Sequence, residues 1–169
     1  MKYAVITTKH HEGFTLFDSD LTEYNSTNTP YGKDALKEWV GAFREEGLKN
    51  QILLFINWLE SSRIFNRQGS SLKAKKKDYE ALNKERDMFV YREYLMNQFS
   101  EILTNYGKVD MLWLDYSFPY GYEGKGRKDW GSIELIKKVR KLQPKIILND
   151  RLDLKEYWRW MGFYKARSV

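Results

Sequence analysis

The chain has 169 residues, of which 42% are hydrophobic and 16% aromatic, a composition typical of a globular protein with one sizeable core. Its formal charge of +6 lies largely in local lysine runs that are typical of solvated surfaces, so we expect no nucleic-acid partner. The absence of cysteine excludes disulfides and thiolate chemistry, and we find neither an apolar stretch long enough for a membrane span nor a signal peptide.

Short apolar runs alternate with amphipathic segments along the chain. The runs predict strands over 3–8, 51–58, 109–114 and 145–149, and the segments predict helices over 34–48, 86–106 and 132–142. In the first helix, for example, Leu36, Trp39, Val40 and Phe43 follow the i, i+3, i+4, i+7 spacing of one helical face. This order predicts parallel βαβ units with right-handed crossovers.

Polar residues follow three of the four predicted strands. His10 and His11 come after the first, Asp115 ends the third, and Arg151 lies just beyond the fourth. In a parallel barrel these strand ends share the face on which active sites are built. A carboxylate delivered by an apolar strand is costly to bury unless it is bonded or used, so Asp115 either caps the following loop or belongs to a site.

The residue types at these strand ends allow several kinds of chemistry. The histidine pair could bind a metal, transfer protons, bond substrate hydroxyls or stabilise its own loop, and a zinc site would need added carboxylates. Trp113 beside Asp115 suits a carbohydrate site, because aromatic rings pack on apolar sugar faces, although such rings also form cores. Four more aromatic residues follow closely: Tyr116, Phe118, Tyr120 and Tyr122.

An ordered series of longer motifs resembles the α-L-fucosidases of glycoside hydrolase family 29. The motifs are T-T-K-H-H-E-G-F at 7–14, F-D-S at 17–19, T-N-T-P at 27–30, L-N-K-E-R-D at 82–87, L-T-N-Y-G at 103–107, W-L-D at 113–115 and N-D-R at 149–151. The resemblance covers most of residues 2–49 and 79–155. A motif as long as the first is much rarer by chance than a lone histidine pair.

This resemblance implies a (β/α)8 TIM-like barrel that hydrolyses terminal α-L-fucosides with retention of configuration. It implies that Asp115 is the nucleophile, that His10 and His11 bind fucose and that Arg151 belongs to the site, with a fucosylated glycan or simple fucoside as the substrate. We expect Trp113 to contact the same substrate because of its aromatic ring beside Asp115. It implies no metal or organic cofactor. The family also suggests a secreted, periplasmic or lysosomal location.

The chain departs from the family in its extent. A full barrel takes about 250 residues, so residues 1–169 are expected to form about four βα units of one catalytic domain, with no second domain. No residue matches the family's acid/base, and we therefore expect this chain to be inactive by itself. A carbohydrate-binding remnant without catalysis is the alternative. Unclosed parallel strands would also leave exposed edges.

An internal departure begins at residue 50. Where the family has a strand and loop resembling G-F-Y-Y-S-L-I-D-W and H-P, this chain continues with an unrelated sequence. If each codon start moves one nucleotide to the right, codon degeneracy permits residues 50–68 to become I-K-F-Y-Y-S-L-I-G-W-N-H-P-E-Y-S-T-D-K. The same shift allows residues 158–167 to read as a family-like tail. We hypothesise that the stretches near 50–74 and 158–169 are out of frame.

Overall fold

The structure is a computed structural model that describes residues 2–10, 12–55, 87–115, 126–149 and 151–154. Four strands form one parallel sheet in which each strand pairs with the next along the chain. They are β1 (Tyr3–Lys9), β2 (Lys49–Phe55), β3 (Met111–Asp115) and β4 (Ile147–Leu148). The helices in these ranges are α1 (Ala35–Glu45), α2 (Met88–Asn105), α3 (Arg127–Trp130) and α4 (Ser132–Leu142).

The four parallel strands and their helices are consistent with part of a (β/α)8 barrel and confirm the predicted fold class. Helix α4 has the predicted bounds, whereas β4 has only two of its five predicted residues. The predicted strand 51–58 begins two residues earlier, and its residues 56–58 lie outside the described ranges. The four-residue helix α3 was not predicted, because a single turn is too short to show an amphipathic period.

Helices α1 and α2 each begin at an aspartate that caps their free backbone N–H groups. Asp34 accepts a hydrogen bond from the Lys37 N–H at 2.8 Å, and Asp87 accepts one from the Phe89 N–H at 2.7 Å. A side-chain oxygen in this position supplies a partner that the first helical turn lacks. These caps explain why α1 and α2 start one residue after each aspartate.

The two faces of the sheet differ sharply in burial. On one face Ile52, Leu54, Leu112 and Leu114 are fully buried, and they belong to the same core as the apolar side of α2. On the opposite face Met111, Trp113 and Asp115 are only partly buried. Successive side chains of a strand point to opposite faces, so alternate residues of β3 separate a packed core from a face that can hold a site.

A polar side chain interrupts the buried face near the start of β2. Asn50 is 1% exposed, and neither its amide nitrogen nor its amide oxygen has a hydrogen-bond partner among the described residues. Its backbone is bonded normally, since the N–H donates to Asp110 Oδ2 and the carbonyl accepts from the Asp110 N–H. An unpaired buried amide costs about 1–3 kcal/mol, so Asn50 is the poorest fit in this part of the core.

Gln143 holds the loop that leads into β3. Its Oε1 accepts from the Val109 N–H at 2.9 Å, and its Nε2 donates to the carbonyls of Leu103 and Gly107, both at 2.8 Å. One side chain after α4 therefore supplies partners to three backbone groups, one in the last turn of α2 and two in the loop before β3. This arrangement fixes the point from which β3 runs to Asp115.

Candidate active site

The strand register brings His10 and Asp115 to the same level of the sheet. Lys9 pairs with Leu54, and Leu54 pairs in turn with Leu114. The residues that come next, His10 and Asp115, therefore lie at the same level of the sheet, on either side of β2. At a strand spacing of about 4.8 Å, their backbones are about 10 Å apart.

Asp115 is in direct contact with Arg151, as expected if both belong to one site. The Arg151 Nη1 donates to Asp115 Oδ1 at 2.9 Å, and the carboxylate is 23% exposed while the guanidinium is 57% exposed. The arginine places a fixed positive charge beside the carboxylate and orients one of its oxygens.

Asn149 brings Arg151 to this position, and its role was not foreseen from the sequence. Its Nδ2 donates to the Leu114 carbonyl at 2.8 Å, while its Oδ1 accepts from the Leu114 N–H at 3.0 Å. The amide thus continues the ladder between β3 and β4 beyond the two paired residues of β4. The only sequence signal for this role is that Asn149 opens the N-D-R motif.

The predicted histidine pair is described in part. His10 follows β1, and its Nδ1–H donates to Glu12 Oε2 at 2.9 Å, so the carboxylate of Glu12 orients the imidazole. His11 lies outside the described residues, as do the predicted aromatic neighbours between 116 and 122. Trp113 is partly buried and lies two residues before Asp115 on the same face of β3.

Lys9, directly before the histidine pair, is an unexpected buried cation. It is 3% exposed, its Nζ donates to Gln98 Oε1 at 2.6 Å, and it lies 5.4 Å from the centre of the Tyr94 ring. Burial lowers the pKa of the Lys9 ammonium to about 7. The sequence places Lys9 in the first motif, but neither its burial nor its partners can be predicted from that position.

Carboxylates near β1 have roles in loop structure. Asp18 accepts a hydrogen bond from the Thr27 hydroxyl, and Glu101 accepts bonds from the Ser19 hydroxyl and the Asp20 N–H. Within the described ranges, no three His, Cys, Asp or Glu side chains form a group suited to a metal ion. No helix in the same ranges is both long and apolar enough to cross a membrane.

Comparison with protein families and curated proteins gives a consistent result. A family model described as Alpha-L-fucosidase matches residues 1–167. Alpha-L-fucosidase 1 of Arabidopsis thaliana is 27% identical over 168 residues, which cover 94% of this chain and 27% of the plant protein. Alpha-L-fucosidase of Dictyostelium discoideum is 26% identical over 168 residues, which cover 96% of this chain and 32% of that protein.

Solved structures show the same similarity in three dimensions. Alpha-L-fucosidase isoenzyme 1 from Paenibacillus thiaminolyticus matches with a TM-score of 0.71 and 40% identity, over 90% of this chain and 35% of that one. A GH29 alpha-L-fucosidase from Bacteroides thetaiotaomicron, solved as a trapped covalent intermediate with 2-fluoro-fucosyl fluoride, matches with a TM-score of 0.66 and 30% identity, over 89% and 31% of the two chains. The chain thus spans about a third of the length of these proteins.

Proposed function

Because this chain belongs to the α-L-fucosidase family, we propose that it contains the nucleophile half of a retaining α-L-fucosidase site, with Asp115 as the nucleophile. The observation that carries the proposal is the Asp115–Arg151 contact of 2.9 Å at the carboxyl end of a parallel strand. A carboxylate that is partly exposed and held by a guanidinium is well placed to attack a bound sugar. The substrate is a terminal α-L-fucoside, on a glycan or on a simple leaving group.

The proposed chemistry has two steps. An oxygen of Asp115 attacks the anomeric carbon, and the bond from that carbon to the leaving oxygen breaks while a second carboxylic acid donates its proton to that oxygen. Water, deprotonated by the same second group, then releases fucose and regenerates Asp115. His10 and His11 bond the sugar hydroxyls, and Trp113 packs against its apolar face.

We propose that this chain forms the covalent intermediate but does not turn over ordinary fucosides, because no residue in it matches the family's acid/base. A fluoride leaving group separates these two claims, since fluoride departs without a proton. The 169-residue chain should therefore be incubated with 2-fluoro-fucosyl fluoride and its intact mass measured. We expect one fluorofucosyl group per chain, located on Asp115 by peptide mass spectrometry.

Two controls make this experiment decisive. Asp115→Asn keeps the shape of the side chain and should take up no label. Methyl α-L-fucoside has a poor leaving group that needs a proton, so it should release no fucose with either protein. Fucose release from this substrate that is lost in Asp115→Asn would contradict the proposed inactivity. Fucose binding by calorimetry without any label would favour the alternative function, a carbohydrate-binding protein without catalysis.

We also infer that residues near 50–74 and 158–169 are encoded out of frame. Asn50 supports this inference, since the shifted frame permits isoleucine at this buried position, where the asparagine amide has no partner among the described residues. Residues 56–68 and 158–169 themselves lie outside the described ranges. Sequencing of the encoding DNA tests the inference, and an undisturbed frame shared by close relatives would contradict it.

A further inference from the structure

A β-bulge in β1 sets the face of the sheet to which the side chain just before the histidine pair points. Along β1, Thr7 pairs with Leu53 and Lys9 pairs with Leu54, so Thr8 is an extra residue in the ladder. The bulge is well bonded: the Thr8 hydroxyl donates to the Leu53 carbonyl at 3.1 Å, and the Thr8 carbonyl accepts from the Leu16 N–H at 2.8 Å. Bulges of this kind re-aim the side chains that follow them.

The extra residue turns Lys9 to the helix side of the sheet. Tyr3, Val5 and Thr7 are exposed on the face opposite the core, and simple alternation would put Lys9 on that face with them. Instead Lys9 lies opposite the fully buried Leu54 and extends towards α2. By the same alternation, the next residue, His10, is directed to the face that holds Asp115.

The Lys9 side chain is held in this orientation by two residues one helical turn apart. Gln98 accepts from the ammonium at 2.6 Å and donates to the Tyr94 hydroxyl at 2.7 Å, while the Tyr94 ring lies 5.4 Å from the Lys9 nitrogen. A buried cation is costly without such partners, so any slip of the chain that removed Lys9 from Gln98 and Tyr94 would be penalised. The contact therefore favours the orientation of β1 in which the Lys9 side chain points towards α2.

We propose that Lys9, together with the bulge at Thr8, is a positioning residue that fixes the histidine pair on the substrate side of the sheet by bonding to Gln98 of α2. The proposal rests on the proposed function in one respect, namely that His10 and His11 contact the sugar. Lys9 itself touches no substrate. It acts through the backbone that it shares with His10.

The test uses the histidine content of the chain, which is two residues. In a His11→Gln background His10 is the single remaining histidine, so its imidazole signal in a 13C-edited NMR spectrum needs no assignment. Into this background we introduce Lys9→Met, which keeps the apolar stem and removes the ammonium, or Gln98→Leu, which removes its acceptor. Lys49→Met, an exposed site at the other end of the sheet, is the matched control.

We expect the His10 signal to shift and broaden in Lys9→Met and in Gln98→Leu while the far-ultraviolet circular dichroism stays unchanged, and to keep its position in Lys49→Met. With the original His11 present, the rate of labelling by 2-fluoro-fucosyl fluoride should fall about tenfold or more in both variants. An unchanged His10 signal in either folded variant overturns the proposal. If Lys9→Met does not fold, the result for Gln98→Leu is used instead. If the parent chain takes up no label, the proposed function fails, whereas the imidazole signal still decides the role of Lys9.

Discussion

Replacement of Lys9 by methionine should change how the stability of the chain depends on pH. Burial lowers the pKa of the ammonium from its usual 10.5 to about 7 in the folded chain. Between these two values the unfolded chain binds more protons than the folded chain, so the free energy of unfolding rises with pH. Below about pH 7 both states are protonated, and the full cost of burying the charge is present.

The size of this effect follows from the two pKa values. The full shift of about 3.5 pKa units corresponds to about 5 kcal/mol, recovered gradually between about pH 7 and 10.5. Raising the pH from 7 to 9 spans more than half of that interval. We therefore expect the unfolding free energy of the parent chain to gain about 2 kcal/mol over this step relative to that of Lys9→Met.

Urea unfolding followed by circular dichroism at pH 7 and pH 9 measures this difference. The buried phenols of Tyr91 and Tyr94 have a raised pKa, so they remain protonated at pH 9 and contribute equally in every variant. The exposed variant Lys49→Met should keep the pH dependence of the parent. An equal change of the unfolding free energy between pH 7 and pH 9 in the parent and in Lys9→Met would refute the reasoning. The absence of a cooperative transition would also refute it, because the calculation needs a packed site around Lys9.

Three other substitutions test separate parts of the structure. Asn50→Ile should raise the free energy of unfolding by about 1–3 kcal/mol in urea titrations, because it removes a buried amide that has no partner among the described residues. Asn25→Ile should lower it, since the Asn25 side chain caps the turn at Ser26–Asn28. Stabilisation by both or by neither would count against this account of Asn50. Asn149→Ala removes both hydrogen bonds to the Leu114 backbone and should slow the labelling of Asp115, while its circular dichroism stays like that of the parent. Labelling at the parent rate would show that the position of Arg151 does not depend on this amide. Gln143→Leu leaves three backbone groups without their partner and should lower the free energy of unfolding by about 2 kcal/mol or more. A loss smaller than half of that value would count against the role of Gln143 before β3.

The sequence predicts the first three strands and the three longer helices well because their apolar patterns are strong. Leu36 and Val40 of α1, and Leu95 and Phe99 of α2, are buried at the positions that the helical spacing indicates. The placement of Asp115 at the end of an apolar strand was predicted on the same basis, and the structure puts it there. These features depend on local patterns, which a single sequence displays directly.

The features that could not be predicted depend on contacts between distant parts of the chain. A bulge at Thr8 is set by pairing with β2, some 45 positions away, and the Thr8 residue type alone does not indicate it. Gln98 is 89 positions from Lys9, and its place on the apolar side of α2 gives no hint of a cation nearby. The Asn149 side chain, and not its backbone, bonds to the Leu114 backbone, so β4 is shorter than predicted.

The order of strands in the sheet also has a consequence for synthesis. Because each strand pairs with the one before it along the chain, β2, β3 and β4 each find one partner already made when they leave the ribosome. The sheet can therefore grow by successive addition, in which each new strand pairs with the edge that the previous strand left open. We expect chains released early to lose their last strand without disturbing the pairing of the earlier ones.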